Sequence, residues 1–460
     1  MISFSAIVDR ALNGPICTEK EFDLNIFVPN LRKVLEKYKI TYDPATPVPS
    51  DDALADRVWE AAMEFLLATG MFCLDTERRI LFTREEIEGA LATGPSGNIF
   101  GDGKDARIMP RRYPEDKTPP WISGCGAGPV SKEEYLINIV KTYAEDSLSD
   151  GITAPCLTNI DGRPLEANSP WGIEGAVRTI LLTREGLRRA GRPGMPVVNE
   201  VASAIRAQEH IAGHRFGNPK VDYLEIGLVH ELKVDLDALN KVAYGLSTGN
   251  LTFAENGVIL GGFAGGPAGV AVVTAAYNPV DMLVLRGAAQ HPFLVPFEKG
   301  TTSNRTVIWA RSVAMQAISR HSPLPMVGSG YTSAGPLTEM SYYEFGAWII
   351  ANVVSGGSVE IGVPYRGTLV DYCGPVENIF GNGVANASAG MSRKEANKIV
   401  LALLEKYEDK IPDPPKGKPY LEYFDEKGLP NKECLALYRK MRKEFEDSFG
   451  FQFKKTSPFW

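Results

Sequence analysis

The chain has 460 residues, 44% hydrophobic and 23% charged, with a formal net charge of −7. That length suits a large buried core, and the spread-out basic residues give no concentrated face for phosphate, which argues against nucleic acid as a partner. No run reaches the roughly 18–20 apolar residues that cross a bilayer. Asp9 and Arg10 interrupt the N-terminal apolar patch, so it does not read as a secretory signal. A cytoplasmic protein with no membrane partner is expected. The six cysteines, at 17, 73, 125, 156, 373 and 434, form no CxxC pair. They read as reduced thiols, with a ligand role for Cys125 or Cys156 as the lesser alternative.

Residues 1–115 read as a helical N-terminal extension and linker. Asp52 opens a run with Leu54, Val58, Trp59, Phe65 and Leu66 at helical spacing, and Gly70 ends it. Thr83 to Glu86 reads as a capping box. The Gly- and Pro-rich stretch over 94–120 reads as a loop or linker.

Residues 116–374 alternate between strand-like and helical patterns. Apolar strand-like runs fall at 121–126, 152–158, 195–201, 222–229, 258–263, 282–287, 325–330 and 358–364. Helical patterns fit 171–190, 233–247, 305–319 and 338–354, with a capping box at Ser131 to Glu134 before another. The small apolar stretch after Phe263 is less decisive. Eight strands separated by helices favour a parallel sheet closed into a (β/α)8 TIM barrel, with a doubly wound open sheet as the alternative. Residues 375–460 read as a C-terminal helical extension, with Ser392 to Glu395 capping one helix and 431–447 forming another.

In a barrel, functional groups project from the C-terminal ends of strands. That rule selects Asn199, Glu200, Glu225, Arg286, Ser329, Tyr331 and Glu360, and places Glu255 just before the fifth strand. Carboxylates converging on one mouth bind a cation, ligate a metal or hold a proton. The glycine-rich segments 123–128 and 261–269 match no phosphate-binding pattern and read as tight turns. His210 and His214 share a helix face next to Glu209, and His230 follows the fourth strand. These four are the zinc candidates, although HExxH is absent.

The strings AGRPGM (190–195), HELKVDLDAL (230–239), AENGVILGGFAGG (254–266) and AGPLTEM (334–340) make the chain resemble the corrinoid-dependent monomethylamine methyltransferases of methanogens. The resemblance implies a (β/α)8 barrel that forms a homo-oligomer. It implies transfer of a methyl group from a small donor to Co(I) of a corrinoid (cobalamin) carried by a separate protein. It also implies that Glu225 and Glu255 are active-site glutamates, and that Ser329 replaces an active-site glutamine. Amine-using members carry pyrrolysine, whose electrophilic imine captures the amine; Val198 stands at that position here. Valine has no electrophile, so monomethylamine is not the expected donor.

The first expectation is therefore O-demethylation of a methoxylated aromatic, with an N-methyl compound as the alternative. The leaving group would be activated by a proton from Glu225 or Glu255, or by zinc. Val198, Asn199, Phe263, Ser329 and Tyr331 would line the substrate, and Tyr342 and Tyr343 would add aromatic surface. A non-catalytic barrel that binds a partner and an aldolase for phosphorylated substrates are the competing classes. The retained glutamates weigh against the first, and the lack of a phosphate loop against the second.

Overall fold

The computed structural model describes residues 2–125, 128–198, 206–228, 231–297 and 301–457. Eight parallel strands, numbered β1 to β8, close into a ring. They are Ile122–Gly124 (β1), Gly151–Thr153 (β2), Val197–Val198 (β3), Leu224–Leu228 (β4), Thr252–Leu260 (β5), Gly287–Pro296 (β6), Val327–Gly330 (β7) and Ser358–Ile361 (β8). Each pairs with the next, β3 to β4 and β6 to β7 through the bridges Val198 to Tyr223 and Gln290 to Met326. β8 returns to β1 with Val359 opposite Ile122, so the expected barrel is the observed one.

An outer ring of helices follows: Glu133–Ala144 (α1), Pro170–Arg189 (α2), Ala207–Phe216 (α3), Leu236–Thr248 (α4), Pro267–Val280 (α5), Arg305–His321 (α6), Glu339–Val354 (α7) and Pro375–Ala387 (α8). α8 packs on both α7 and α1 and closes the ring. Local chemistry starts several of them. Ser169 accepts from the backbone of Trp171 and Gly172 ahead of Pro170, and Asp235 and Asn304 cap α4 and α6 in the same way. The Thr83–Glu86 capping box forms as read. The Ser131 box does not: α1 starts after Lys132, and the Ser131 hydroxyl donates to Asp371 at 2.6 Å.

Two strands differ from their expected positions. β5 starts at Thr252, so Glu255 lies inside the strand and not before it. The apolar run at 282–287 is mostly helical: Asp281–Leu285 continues α5 as a π-helical turn, fully buried. An apolar run buried on all sides looks the same as strand or helix. Arg286 therefore precedes β6. It takes a left-handed conformation (φ 58°) and donates to the Ile2 carbonyl, far from the mouth side. The stretch Pro267–Leu285 is long and apolar enough by composition to cross a membrane, but 94% of its 18-residue apolar segment is buried inside the protein. It is a core helix.

The stretch expected as a linker carries a hairpin, Gly97–Phe100 paired antiparallel with Arg107–Pro110. Phe100 and Met109 from this hairpin plug the N-terminal end of the barrel, packing with Trp121, Val198, Tyr223, Phe253, Ala289 and Val327. Phe100 lies 4.5 Å from the Tyr223 ring and 6.0 Å from Trp121. Gly151 is required here: a Cβ at that position would stand 2.5 Å from the Trp121 indole. On the outer side, helix Asp52–Thr69 packs on α5 and α6, while Arg393–Tyr407 and Lys432–Phe449 pack on α7.

β5 and β6 are the longest strands of the ring, at 9 and 10 residues. Their outward side chains form a buried polar network under α5. Asn256 donates to Asp281 (2.9 Å), Gln290 donates to Asn256 (2.8 Å), and Asn278 donates to Gln290 (2.8 Å). Because side chains alternate along a strand, locking Asn256 and Gln290 outward sets Glu255 and His291 inward.

Candidate active site

Inside the barrel, the aromatic floor gives way to a polar level toward the C-terminal ends of the strands. Tyr223 and Glu225 alternate with the outward Leu224 and Ile226 on β4. Glu225 and Glu360 are each 2% exposed, and His291 stands between them. His291 Nδ1 lies 2.6 Å from Glu225 Oε1, and Nε2 lies 3.6 Å from Glu360 Oε2. The Thr153 hydroxyl donates to Glu360 Oε1 at 2.9 Å. Ser123 and Ser329 flank Glu360 in register on the neighbouring strands. Glu255 sits opposite both Gly227 and His291 in the sheet, its Oε2 3.2 Å from where a Cβ on Gly227 would be. Glycine at 227 thus leaves room for the Glu255 carboxylate on the inward face.

Burial first, and then the charges of Glu360 and Glu225, push the Tyr223 phenol well above its usual range. The floor tyrosine therefore stays neutral beneath an acidic level. Above that level, Phe293 and Tyr331 meet edge to face at 5.4 Å, and Phe293 lies 6.3 Å from His291. Tyr331 is fixed by its backbone N–H, which donates to Thr302 Oγ1 at 2.7 Å.

Glu225, Glu255, Ser329 and Tyr331 thus come together as the sequence suggested. Val198 is fully buried in the floor cluster. Phe263 lies on the rim, 41% exposed, with the Lys233 ammonium 5.4 Å from its ring centre. Asn199, Glu200 and His230 lie outside the described residues. Tyr342 and Tyr343 face away from the lumen: Tyr342 stacks edge-on against Phe380, and the Tyr343 hydroxyl donates to Glu444.

The helical zinc candidates do not converge. Glu209 on α3 accepts the backbone N–H of Asn168, and His214 Nδ1 contacts the Tyr244 hydroxyl at 3.2 Å. Burial pushes the His214 imidazole down to about 4. His210 is buried on the same helix. The metal-capable group among the described residues is Glu225, His291 and Glu360, whose ligand atoms lie within 4.8 Å of one another. Its 2.6 Å Glu225–His291 contact is a hydrogen-bond distance. Two ligands on one zinc ion, each about 2 Å from it in a tetrahedral site, would stand farther apart.

His291 is the residue that sequence reasoning missed as a site member. It lies in the segment AQHPFLVP, where Gln290, His291 and Pro292 break the apolar pattern of a strand. Proline inside a run argues against a central strand. The available signal was a histidine on a strand next to the one that carries Glu255.

Three carboxylates and one imidazole facing a mouth lined by two aromatic rings suit a small cation with an apolar group. The sequence matches the family described as monomethylamine methyltransferase MtmB over residues 2–450. The chain belongs to the MtmB family. The monomethylamine methyltransferase MtmB of Methanosarcina mazei is 30% identical over 443 residues, covering 95% of this chain and 96% of that one. MtmB1 of Methanosarcina acetivorans is 29% identical with the same coverage. The crystal structure of Methanosarcina barkeri MtmB superposes with a TM-score of 0.93 at 28% identity, covering 98% of each chain. A hydroxylamine complex of MtmB matches equally well.

The expected enzyme class, a methyltransferase, is the class of this family. The expected methoxylated aromatic donor is overturned, because these relatives are named for methyl transfer from an amine. An ether offers the carboxyl groups of Glu225, Glu255 and Glu360 neither a positive charge to pair with nor a hydrogen to accept.

Proposed function

We propose that this MtmB-family chain transfers a methyl group from an N-methyl ammonium donor to a corrinoid carried by a separate protein. The observation that carries this reading is the convergence of Glu225, Glu255 and Glu360 on one barrel mouth in a chain of this family. When presented by its partner protein, the Co(I) corrinoid supplies the nucleophile.

The chain's own residues bind and orient the donor. Methyl transfer breaks the C–N bond with its electron pair staying on nitrogen. The leaving group is a neutral amine only if the nitrogen enters as ammonium. Carboxylates around that nitrogen favour the ammonium form and so keep the leaving group activated. Phe293 and Tyr331 wall the site above the carboxylates, where the methyl group must face outward to its acceptor. We assign Val198 to the position of pyrrolysine in amine-using members. A buried valine there captures no amine covalently, so charge replaces covalent capture as the means of holding the donor. Zinc on Glu209, His210 and His214 has no part in this reading, since Glu209 and His214 are engaged on α3 with Asn168 and Tyr244.

The test is methyl transfer to the reduced corrinoid protein, followed by the Co(I) absorbance, across mono-, di-, tri- and tetramethylammonium, glycine betaine and methoxyarenes. Turnover of at least one N-methyl compound and of no methoxyarene is the expected result. Turnover of methoxyarenes alone, or silence across the panel with an active corrinoid partner, refutes it.

A further inference from the structure

Glu225 and Glu360 are buried carboxylates held close together, an arrangement that two negative charges disfavour unless something separates them. His291 is the described group that does so, with one ring nitrogen toward each carboxylate. Its position is overdetermined. Gln290, the preceding residue, is locked outward by three hydrogen bonds, two donated to Asn256 and the Thr274 carbonyl and one accepted from Asn278. The Phe253 ring lies 5.3 Å from the imidazole on the floor side. Among the described residues, the charged or titratable groups that face it are Glu225 from β4, Glu255 from β5, Glu360 from β8 and Tyr223 beneath.

We propose that His291 is the positioning residue of this site: it separates Glu225 from Glu360 and aims the Glu225 carboxylate at the ammonium group of the donor. The inference rests on the proposed function for the identity of the donor. It assigns His291 no contact with the donor. Without the imidazole, the two carboxylates face each other and relieve their repulsion by sharing a proton, so the lumen loses negative charge at neutral pH. The double substitution that also neutralises Glu360 leaves the same single negative charge but places it wholly on Glu225, with no proton left to share.

The experiment compares wild type, His291→Asn, Glu360→Gln and the double variant. Methylammonium binding is read by calorimetry from pH 6 to 9, alongside kcat and KM for methyl transfer. His291→Asn should weaken binding about tenfold at pH 7, with affinity recovering as pH rises. The double variant should bind no more weakly than His291→Asn at pH 7 and should lose the pH dependence, because it has no shared proton to release. Circular dichroism establishes that each variant is folded; should His291→Asn not fold, His291→Gln takes its place. Affinity lost equally at every pH in His291→Asn, or a pH dependence that persists in the double variant, overturns the positioning role. A wild type that binds no ammonium at all refutes the proposed function instead, so the two failures are distinguishable.

Discussion

Glu255→Gln removes one negative charge from the lumen while keeping the side-chain volume. A methylammonium nitrogen in contact with the carboxylate sits about 4 Å from it, and at an effective dielectric of about 20 that attraction is about 4 kcal/mol. Glu255 is half-buried, so solvent screening and the desolvation of both partners offset roughly half of this. The remaining difference of about 2 kcal/mol corresponds to about thirtyfold weaker binding. Calorimetry with methylammonium chloride at low and high salt measures it directly. The loss should shrink as ionic strength rises, because the lumen opens to solvent at the mouth. Binding of the variant within threefold of wild type would refute the charge-based account of donor recognition. So would an equal loss for a neutral ligand of the same size, which would point to shape and not charge.

His214 is buried with its imidazole held down to about 4 from 6.5. A depressed base contributes stability that is complete above pH 6.5 and is lost as pH falls through 4, about 3 kcal/mol in all. His214→Phe should remove that acid-side loss in urea titrations at pH 7.5, 5 and 4; an unchanged slope with pH would refute it. Burial raises the Asp281 carboxyl well above its usual range. The stability tied to a raised acid is complete below its unfolded value near 4 and is lost as pH rises through the folded value. Asp281→Asn should therefore gain in Tm relative to wild type on going from pH 4 to pH 8, and a Tm difference that stays constant or falls over that range would refute this. Phe100→Ala should cost about 3–5 kcal/mol in chemical denaturation, as a full-sized cavity under the barrel floor; a cost below 1 kcal/mol would mean that the hairpin does not plug the floor.

The barrel was legible because its framework obeys simple patterning. The runs at 195–201 and 222–229 are regularly spaced among helical patterns, and β3 (Val197–Val198) and β4 (Leu224–Leu228) fall inside them. The hairpin under the floor was not legible, because Gly97, Gly101, Gly103 and Pro110 mark it locally as loop. Its strands exist through contacts with Trp121 and Tyr223, which lie far along the chain. Neither was the start of β5 or the whole of β6, where Glu255, Asn256, Gln290, His291 and Pro292 interrupt the apolar signal.

Those same interruptions supply the candidate site and the polar network behind it. A strand that must present a carboxylate to the lumen and an amide to the helix behind it cannot also look like a strand to a hydrophobicity pattern. The apolar run beside it, Met282 to Leu285, carried the stronger strand signal and turned out to be helix, because a π-helical turn under α5 is buried on every side. The error in placing β6 and the failure to see His291 as a site residue are therefore one event. Donor class failed for a different reason. The expectation of a methoxylated aromatic rests on Val198 and on aromatic residues near the mouth, of which Tyr342 and Tyr343 face away from the lumen. The fold places Glu360 and His291 beside Glu225, a grouping that the sequence positions alone do not reveal. Under the proposed function, a chain without the electrophile still holds a cation, and a cavity lined by carboxylates does not suit a neutral ether.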